Sequence, residues 1–517
     1  MSDRMSSSRR STVVSRRSFL SASSSAAAMA GLSQLGFLKG LPRVNAEEAK
    51  PDPKLVRFND EIEPLVRLVE ETPRERLLEE VAAKIKKGTS YREVVAALLL
   101  AGVRNVQPRP QLGFKFHAVL VVNSAHLASM SSPDDQRWLP IFWALDHFKD
   151  AQARDVSEGN WTMTAVDEAA VPAAHQARQM FIDAMDQWDE AKADVAVTAL
   201  ARTAGANDLF ELFCRYGARD FRAIGHKAIY VANAWRTLHC IGWQHAEPVL
   251  RSLAYGLLNH NGEPNPSKSD LAPDKPFREN QSLVKTIRPE WQNGKLDSKA
   301  TEDLLATLHT GSSGDVTKQV VEMLNRGVSP QSIWDALLLG SGECLMRQPA
   351  IVGLHTVTTS NALRYAYETS GSDETRRLLL LQNAAFLPLF RKSMESRGQI
   401  DDVKINELQP MEVAAKGELL DNVFAEISKD KLNAARLTLS YALHHEDAKD
   451  FIQRARVLVF LKGRDAHDYK FSSAVLEDFQ HISPAWRGKF LASSVFNLRG
   501  SGGNDNPVAQ RTKQALA

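Results

Sequence analysis

The sequence predicts an all-α protein, a multi-helix array built from repeated helical-hairpin units. Apolar residues recur at intervals of three or four along most of the chain, which is the period of a helix that buries one face. Strand-like runs are few, and Val119 to Val122 is the one β-prone stretch. Two helix openers, at Ser90 and Ser329, are each followed by a His after 27 and 26 residues. We therefore expect two copies of one helical unit.

Local signals mark where the predicted helices begin. From Pro64 to Lys87, spaced apolar residues predict an amphipathic helical pair broken near Pro73. Ser90 and Glu93 have the spacing of a capping box, in which each side chain accepts from the backbone of the other residue. Ser329 opens its helix as a Ser cap with Pro at the first helical position. Further helices are expected over residues 208–214, 226–258 and 432–462.

The first 46 residues read as an export signal. Arg16-Arg17, followed by Ser18-Phe19-Leu20, is a twin-arginine motif of the Tat type, and a weakly apolar run and a small-residue end at Ala46 follow it. We expect cleavage before Glu47, the Tat translocase as partner during export, and a periplasmic mature protein. The apolar run is rich in Ser and Gly, and no later stretch reaches the roughly 18 continuous apolar residues of a membrane span. No membrane anchor is therefore expected after cleavage.

Composition and the stretches rich in loop-forming residues predict how the mature chain is organised. We expect an N-terminal helical half at 47–260, a loop-rich connection at 261–300, a C-terminal helical half at 301–499 and a flexible tail at 500–517. The chain is 43% hydrophobic and 24% charged, which is typical of globular proteins. Its net charge of +2 becomes about −4 without the leader, which carries seven basic residues and one acidic residue. No nucleic-acid partner is expected.

A short polar pattern occurs three times in apolar helical surroundings. A His is followed six or seven positions later by Asn, then by a small or apolar pair, then by a cationic or imidazole side chain. The three copies are His117, Asn123 and His126; His226, Asn233 and Arg236; and His355, Asn361 and Arg364. Only 14 His occur in 517 residues, and buried polar groups need partners. We expect one shared buried site, with the first His of each copy catalytic and the other residues binding substrate.

The sequence leaves open whether the His and the Asn of each copy lie on one face of a helix. On one straight helix, His226 and Asn233 would share a face because seven residues make two turns, whereas a six-residue offset turns His and Asn about 120° apart. A helix broken between the two residues is the alternative.

The residues alone leave three kinds of function open. Imidazole suits proton transfer near neutral pH, and it also binds Zn, Cu, Fe and haem iron. The sequence has no HExxH, Walker A, GxGxxG or GxSxG motif that would choose among chemistries. The interpretations are an oxidoreductase with His as general acid or base, a His-rich metal or haem protein, and a non-enzymatic helical interaction module.

Four short elements carry a family resemblance. They are His117 to His126 with the Trp143 helix after it, His226-Lys227-Ala228-Ile229-Tyr230, His355-Thr356-Val357-Thr358 ahead of Ala362-Leu363-Arg364, and Asp465-Ala466-His467-Asp468-Tyr469-Lys470. Their order resembles the questin oxidase-like family over roughly residues 90–495. The resemblance adds His467 to the catalytic set. It implies an oxygen-dependent, monooxygenase-like oxidation of a polycyclic aromatic or quinonoid substrate, with NADPH as reductant.

Overall fold

A computed structural model describes residues 60–109, 112–258, 262–412, 418–445 and 447–517. The export signal expected at residues 1–46 lies outside these ranges. The described residues all belong to one compact unit. Across them the chain forms 22 α-helices and no β-strand, which confirms the all-α prediction.

The helices are numbered in chain order. The first eleven are α1 (Glu63–Glu71), α2 (Arg74–Lys86), α3 (Tyr91–Asn105), α4 (His117–Met130), α5 (Trp138–Ser157), α6 (Ala174–Gln187), α7 (Glu190–Thr203), α8 (Ala206–Gly217), α9 (His226–Ile241), α10 (Ala246–Leu257) and α11 (Lys275–Leu283). The others are α12 (Ser298–Thr310), α13 (Ser313–Arg326), α14 (Pro330–Arg347), α15 (Ile351–Thr369), α16 (Asp373–Glu395), α17 (Leu419–Glu426), α18 (Lys431–Ala442), α19 (Lys449–Lys462), α20 (Ala466–His481), α21 (Pro484–Ser494) and α22 (Pro507–Leu516). In the described part of the chain, no helix is both long and apolar enough to cross a membrane.

The predicted helix openers act as caps. The hydroxyl of Ser90 accepts from the Glu93 N–H at 3.3 Å, and the Glu93 carboxylate accepts from the Ser90 N–H at 2.7 Å, which completes the capping box of α3. The hydroxyl of Ser329 accepts from the Gln331 N–H at 3.2 Å at the start of α14. The β-prone stretch 119–122 lies inside α4. Helix pairs α3–α4 and α14–α15 follow the two openers, while their origin as repeats stays a prediction.

Four helices form a closed ring at the centre of the unit. Helix α9 packs on α4 and α15, and α20 packs on the same two helices. The remaining helices cover this ring, so α4 and α15 bury most of their surface rather than one stripe. Polar residues on the ring helices therefore lie in the interior, where each needs a partner.

The C-terminal segment 500–517, for which the sequence predicts a flexible tail, packs against two other helices. It contains α22, which begins with Pro507 in its first turn and packs on α2 and α5. Thr512 is buried, and Arg511 pairs with Glu79 at 2.9 Å. A short run of Gly and Asn thus precedes an anchored helix. The expected connection at 261–300 contains α11 as well as loops.

Candidate metal centre

The ring of four helices brings together the four His residues predicted to be catalytic. His117 and His226 begin α4 and α9, His355 lies in the second turn of α15, and His467 is the second residue of α20. The His226 ring centroid lies 4.9 Å from that of His117 and 4.5 Å from that of His355. The His467 centroid lies 4.7 and 5.3 Å from the same two rings. We call these four side chains the histidine cluster.

Each imidazole of the cluster is oriented by an oxygen atom next to Nδ1. The distances are 3.2 Å from His117 to Gly113 O, 2.8 Å from His226 to Ala223 O, 2.6 Å from His355 to Ile351 O, and 3.3 Å from His467 to the Asp465 carboxylate. A carbonyl or carboxylate oxygen can only accept, so the proton of each neutral ring belongs on Nδ1. Nε2 then carries a lone pair in all four rings, which is the tautomer found in metal-binding His residues.

The Nε2 atoms point toward one another. His226 Nε2 lies 3.1 Å from His117 Nε2 and 2.9 Å from His355 Nε2. Ring nitrogens of His117, His355 and His467 all lie within 4.8 Å of one another. Nitrogens bound to one ion at about 2.0–2.1 Å are at most about 4.2 Å apart, so the cluster has nearly the dimensions of a metal site. Rings packed this closely leave no slot for a porphyrin plane between them.

The cluster favours neutral imidazoles. Burial lowers the pKa of His117, His226 and His355 well below the ordinary value, and the charge of Lys470 lowers it further. The positive ends of α4 and α9 lie at His117 and His226, which also disfavours a proton there. A neutral ring is the form in which His binds a metal.

A close approach of two helices positions His226. The preceding residue, Gly225, has φ +81°, and a Cβ at this position would lie 1.9 Å from the hydroxyl oxygen of Thr359. Both the backbone conformation and the space therefore require glycine. The beginning of α9 can thus lie directly against α15, which carries His355.

A cleft of about 420 Å³ reaches the cluster. It is lined by His117 and His467, and also by exposed side chains such as Arg464. The Trp143 indole forms part of its wall and stacks on Tyr469, with centroids 4.0 Å apart. A flat ligand could enter the cleft and contact both the aromatic wall and the cluster.

The predicted Asn residues meet at a separate, enclosed point next to the cluster. Asn123, Asn233 and Asn361 line a cavity of about 10 Å³ together with Arg236 and Lys470. This volume is about that of one water molecule. The Lys470 side chain is fully buried, burial lowers its pKa to about 7, and its Nζ has no hydrogen-bond partner among the described residues. Lys470 thus lies between the imidazoles and the Asn residues.

A buried hydrogen-bond network continues from this cavity. The Asn361 amide donates to Asp478 at 2.9 Å and to Glu477 at 2.7 Å, while Arg236 donates to Asn361 at 3.2 Å and to Glu477 at 2.6 Å. Asn361 and Arg236 are thus hydrogen-bonded to each other and to acids of α20. Burial raises the pKa of Asp478 to about 8.

Two residues predicted to bind substrate lie away from the cluster. The Nδ1 atom of His126 is hydrogen-bonded to the Tyr91 hydroxyl at 3.0 Å and lies 3.7 Å from the Cys240 sulfur. Arg364 donates to Gln331 and pairs with Glu368. Each lies on the same helix face as its Asn but about one turn further along, where it meets different neighbours.

Sequence reasoning missed three residues that shape the site. Lys470 and Asp465 flank His467 on the same chain segment, and Gly225 directly precedes His226. The signal for Lys470 was present, because a Lys at i+3 from a His on an apolar helix shares its face. Nothing in the sequence marked Gly225, whose need for glycine depends on Thr359, 134 positions later.

Comparison with family models, with curated proteins and with solved structures finds no match. The ring nitrogens of His117, His355 and His467 form an all-nitrogen donor set, which suits a first-row transition metal.

Proposed function

We propose that the histidine cluster holds a transition-metal ion and that the protein is a metal-dependent oxidoreductase. The observation that supports this most directly is that all four Nδ1 atoms lie next to oxygen acceptors. The Nε2 atoms of His117 and His355 lie 3.1 and 2.9 Å from that of His226. His117, His355 and His467 would be the ligands, and His226 Nε2 would lie beside two of them. A redox-active ion there would supply the electron exchange that oxidation of a phenolic or quinonoid ring needs.

A metal accounts for the cluster better than acid–base catalysis by imidazole alone. A general acid or base is most effective when its pKa lies near the working pH. Burial moves the pKa of His117, His226 and His355 well below that range. Neutral lone pairs at such short distances repel, and a shared cation removes this repulsion. An interaction module would need no such arrangement.

The cleft supports a flat aromatic substrate, in line with the questin oxidase-like resemblance. Its volume of about 420 Å³ lies within the usual range for small-molecule sites. The buried Trp143 indole forms part of its wall, and His117 and His467 line it where it meets the cluster. We infer that the wall orients the ring of a polycyclic or quinonoid substrate and that the cleft excludes bulk water from it.

Export in the folded state is consistent with such a centre. The ligands come from positions 117 to 467, so the donor set exists only after the chain has folded. The Tat route carries folded proteins, and we propose that the cluster is assembled before the protein reaches the periplasm.

Elemental analysis of the purified mature protein tests this function. We expect about one equivalent of a first-row transition metal and oxygen-dependent turnover within a panel of hydroxyanthraquinones. His355→Gln should lose both, while His175→Gln, an exposed position on α6, should retain both. A metal-free wild type that still turns over the panel would leave acid–base catalysis as the function. Silence in both assays would leave the interaction module.

A further inference from the structure

A second cavity lies outside the histidine cluster and its cleft. It has a volume of about 750 Å³ and is lined by parts of α6, α8 and α11, by the loop before α11 and by the beginning of α16. Ile182, Leu212 and Phe277 give it an apolar side, and the exposed cations Arg178 and Lys268 lie at its edge. It shares no lining residue with the cleft that reaches the cluster.

Arg219 lines this cavity with a buried and incompletely paired guanidinium. The residue is 4% exposed, and Nη1 donates to the Met185 carbonyl at 2.9 Å. Its Nε and Nη2 atoms have no hydrogen-bond partner in the described part of the chain. The Asp186 carboxylate is 3.9 Å away, and its side chain is 55% exposed. The guanidinium also lies over the Tyr216 ring, 5.0 Å from the centroid.

The buried charges around Arg219 do not balance. Arg222 pairs with Asp274 at 2.8 Å, and Lys227 pairs with Asp220 at 2.7 Å. Each buried carboxylate is thus already hydrogen-bonded to another cation, so the acids that act on Arg219 are Asp220, which it shares with Lys227, and the half-exposed Asp186 at 3.9 Å.

The third acidic residue that lines the cavity, Glu211, is also hydrogen-bonded within the protein. Glu211 accepts from Ser370 at 2.9 Å and from the Gly371 N–H at 2.6 Å. An arginine stays charged in proteins, and a buried charge without a close counter-ion is costly. A ligand anion would remove that cost.

We propose that this cavity binds an amphipathic organic anion, whose acidic head group pairs with Arg219 while its apolar body packs on Ile182, Leu212 and Phe277. The site is independent of the histidine cluster and does not require the metal. Arg178 and Lys268 would favour the approach of a negatively charged ligand from solvent.

Calorimetric titration of the purified mature protein tests the proposal with three probes: decanoate, decan-1-ol and inorganic phosphate. We expect decanoate to bind more tightly than decan-1-ol by about tenfold or more, because only decanoate brings a negative charge to the Arg219 guanidinium. Phosphate should not compete. Equal binding of the acid and the alcohol, no binding of either, or competition by phosphate at similar concentration would overturn the proposal.

Arg219→Met separates a ligand site from a structural arginine. We expect it to weaken decanoate binding by about tenfold or more, with a melting temperature equal to or above that of the wild type, because an apolar side chain replaces an unpaired buried charge. Arg326→Met, at the exposed end of α13, is the matched control and should change neither property. Retained decanoate affinity in Arg219→Met would reject the assignment.

A second variant covers the case in which Arg219→Met fails to fold. Phe277 is half-buried, so Phe277→Glu leaves Arg219 and its packing in place while adding a negative charge to the cavity. We expect this variant to fold and to lose decanoate binding. Unchanged affinity would show that the ligand does not occupy this cavity.

Discussion

The Nε2 atoms of His226 and His355 lie 2.9 Å apart, although the Nδ1 atom of each ring faces a backbone carbonyl. Two lone pairs at this distance repel unless a positive charge lies between them. A proton could lie between only one pair of Nε2 atoms, and burial of the cluster would oppose its charge. A metal ion can accept the lone pairs of His117, His355 and His467 at once, so the cluster should be more stable when loaded.

Metal removal should therefore destabilise the protein. Dialysis of the loaded wild type against a chelator should lower the free energy of unfolding by about 3 kcal/mol, the linkage value for a ligand at about 100 times its Kd. The chelator effect should disappear in His355→Gln and persist in the exposed control His175→Gln. Thermal unfolding with and without chelator measures this. A loaded wild type that melts at the same temperature after metal removal would contradict the metal assignment.

The fold class could be predicted from the sequence. The sequence and its family resemblance also singled out the four His residues that form the cluster. Helix openers such as Ser90 and Ser329 depend on neighbours within three residues, so they are readable locally. Asn361 was expected to bind substrate in the shared site, and the six-residue offset from His355 did not by itself place it. It contacts Asp478 and Glu477 instead of the cluster.

Other features of the site depend on contacts between distant parts of the chain. Asn233 shares a helix face with His226 but lies two turns further along α9, about 10 Å away, and thus lines the small cavity. The requirement for glycine at 225 comes from Thr359. The choice of Arg236 over Arg364 as a partner of Asn361 depends on how α9, α15 and α20 pack. No local pattern contains this information.

Substitution of Gly225 should disturb both stability and metal binding. Gly225→Ala combines a positive φ of +81° with a Cβ 1.9 Å from the Thr359 hydroxyl, and strain and overpacking of this kind each cost about 1–3 kcal/mol. Gly503 has the same φ of +81° with no atom within 4 Å of the added Cβ, so Gly503→Ala isolates the backbone cost. Urea unfolding and metal content measure the difference. Equal losses in the two variants would mean that the helix approach does not constrain His226.

Asp478 should make stability depend on pH. Burial raises its folded-state pKa to about 8 from 3.8, so between these values the folded protein binds a proton that the unfolded chain has released. The stabilising contribution of the protonated form is complete below about pH 4 and falls as the pH rises toward 8, by at most about 1.4 kcal/mol per pH unit. Glu477, Arg236 and Arg364 are the charged groups that act on it.

Asp478→Asn removes this titration while keeping a side chain of the same size. The difference in unfolding free energy between wild type and variant should therefore shift in favour of the variant as the pH is raised from about 5 to about 7.5. Denaturant unfolding at the two pH values measures it. A difference that stays constant across this range would show that Asp478 is ionised in the folded protein.

Export should depend on the twin arginines. We expect Arg16→Lys with Arg17→Lys to prevent release of mature protein into the periplasm, because the Tat receptor reads the pair as an address. Immunoblotting of cell fractions, with Arg9→Lys and Arg10→Lys as the matched control, measures this. Normal periplasmic amounts of the doubly substituted protein would contradict the Tat assignment.

Asp465 should act on the metal through His467 without being a ligand itself. Its carboxylate lies 3.3 Å from His467 Nδ1, and it also accepts from the His467 N–H at 2.8 Å as the cap of α20. Hydrogen bonding to His467 lowers the pKa of Asp465 to about 2. The carboxylate therefore stays ionised and orients the ring.

Asp465→Asn separates these two roles. Asn is as good a helix cap as Asp, so the melting temperature of the metal-free protein should change little. The amide is a weaker acceptor and can present a donor to Nδ1, so metal affinity should fall by about 10–100-fold, as for other partners of metal-binding His residues. Asp465→Ala should lose the cap as well and melt lower by an amount equivalent to about 1 kcal/mol. Competition titration with a chromophoric chelator measures affinity, and an unchanged value in Asp465→Asn would show that His467 is oriented by its packing alone.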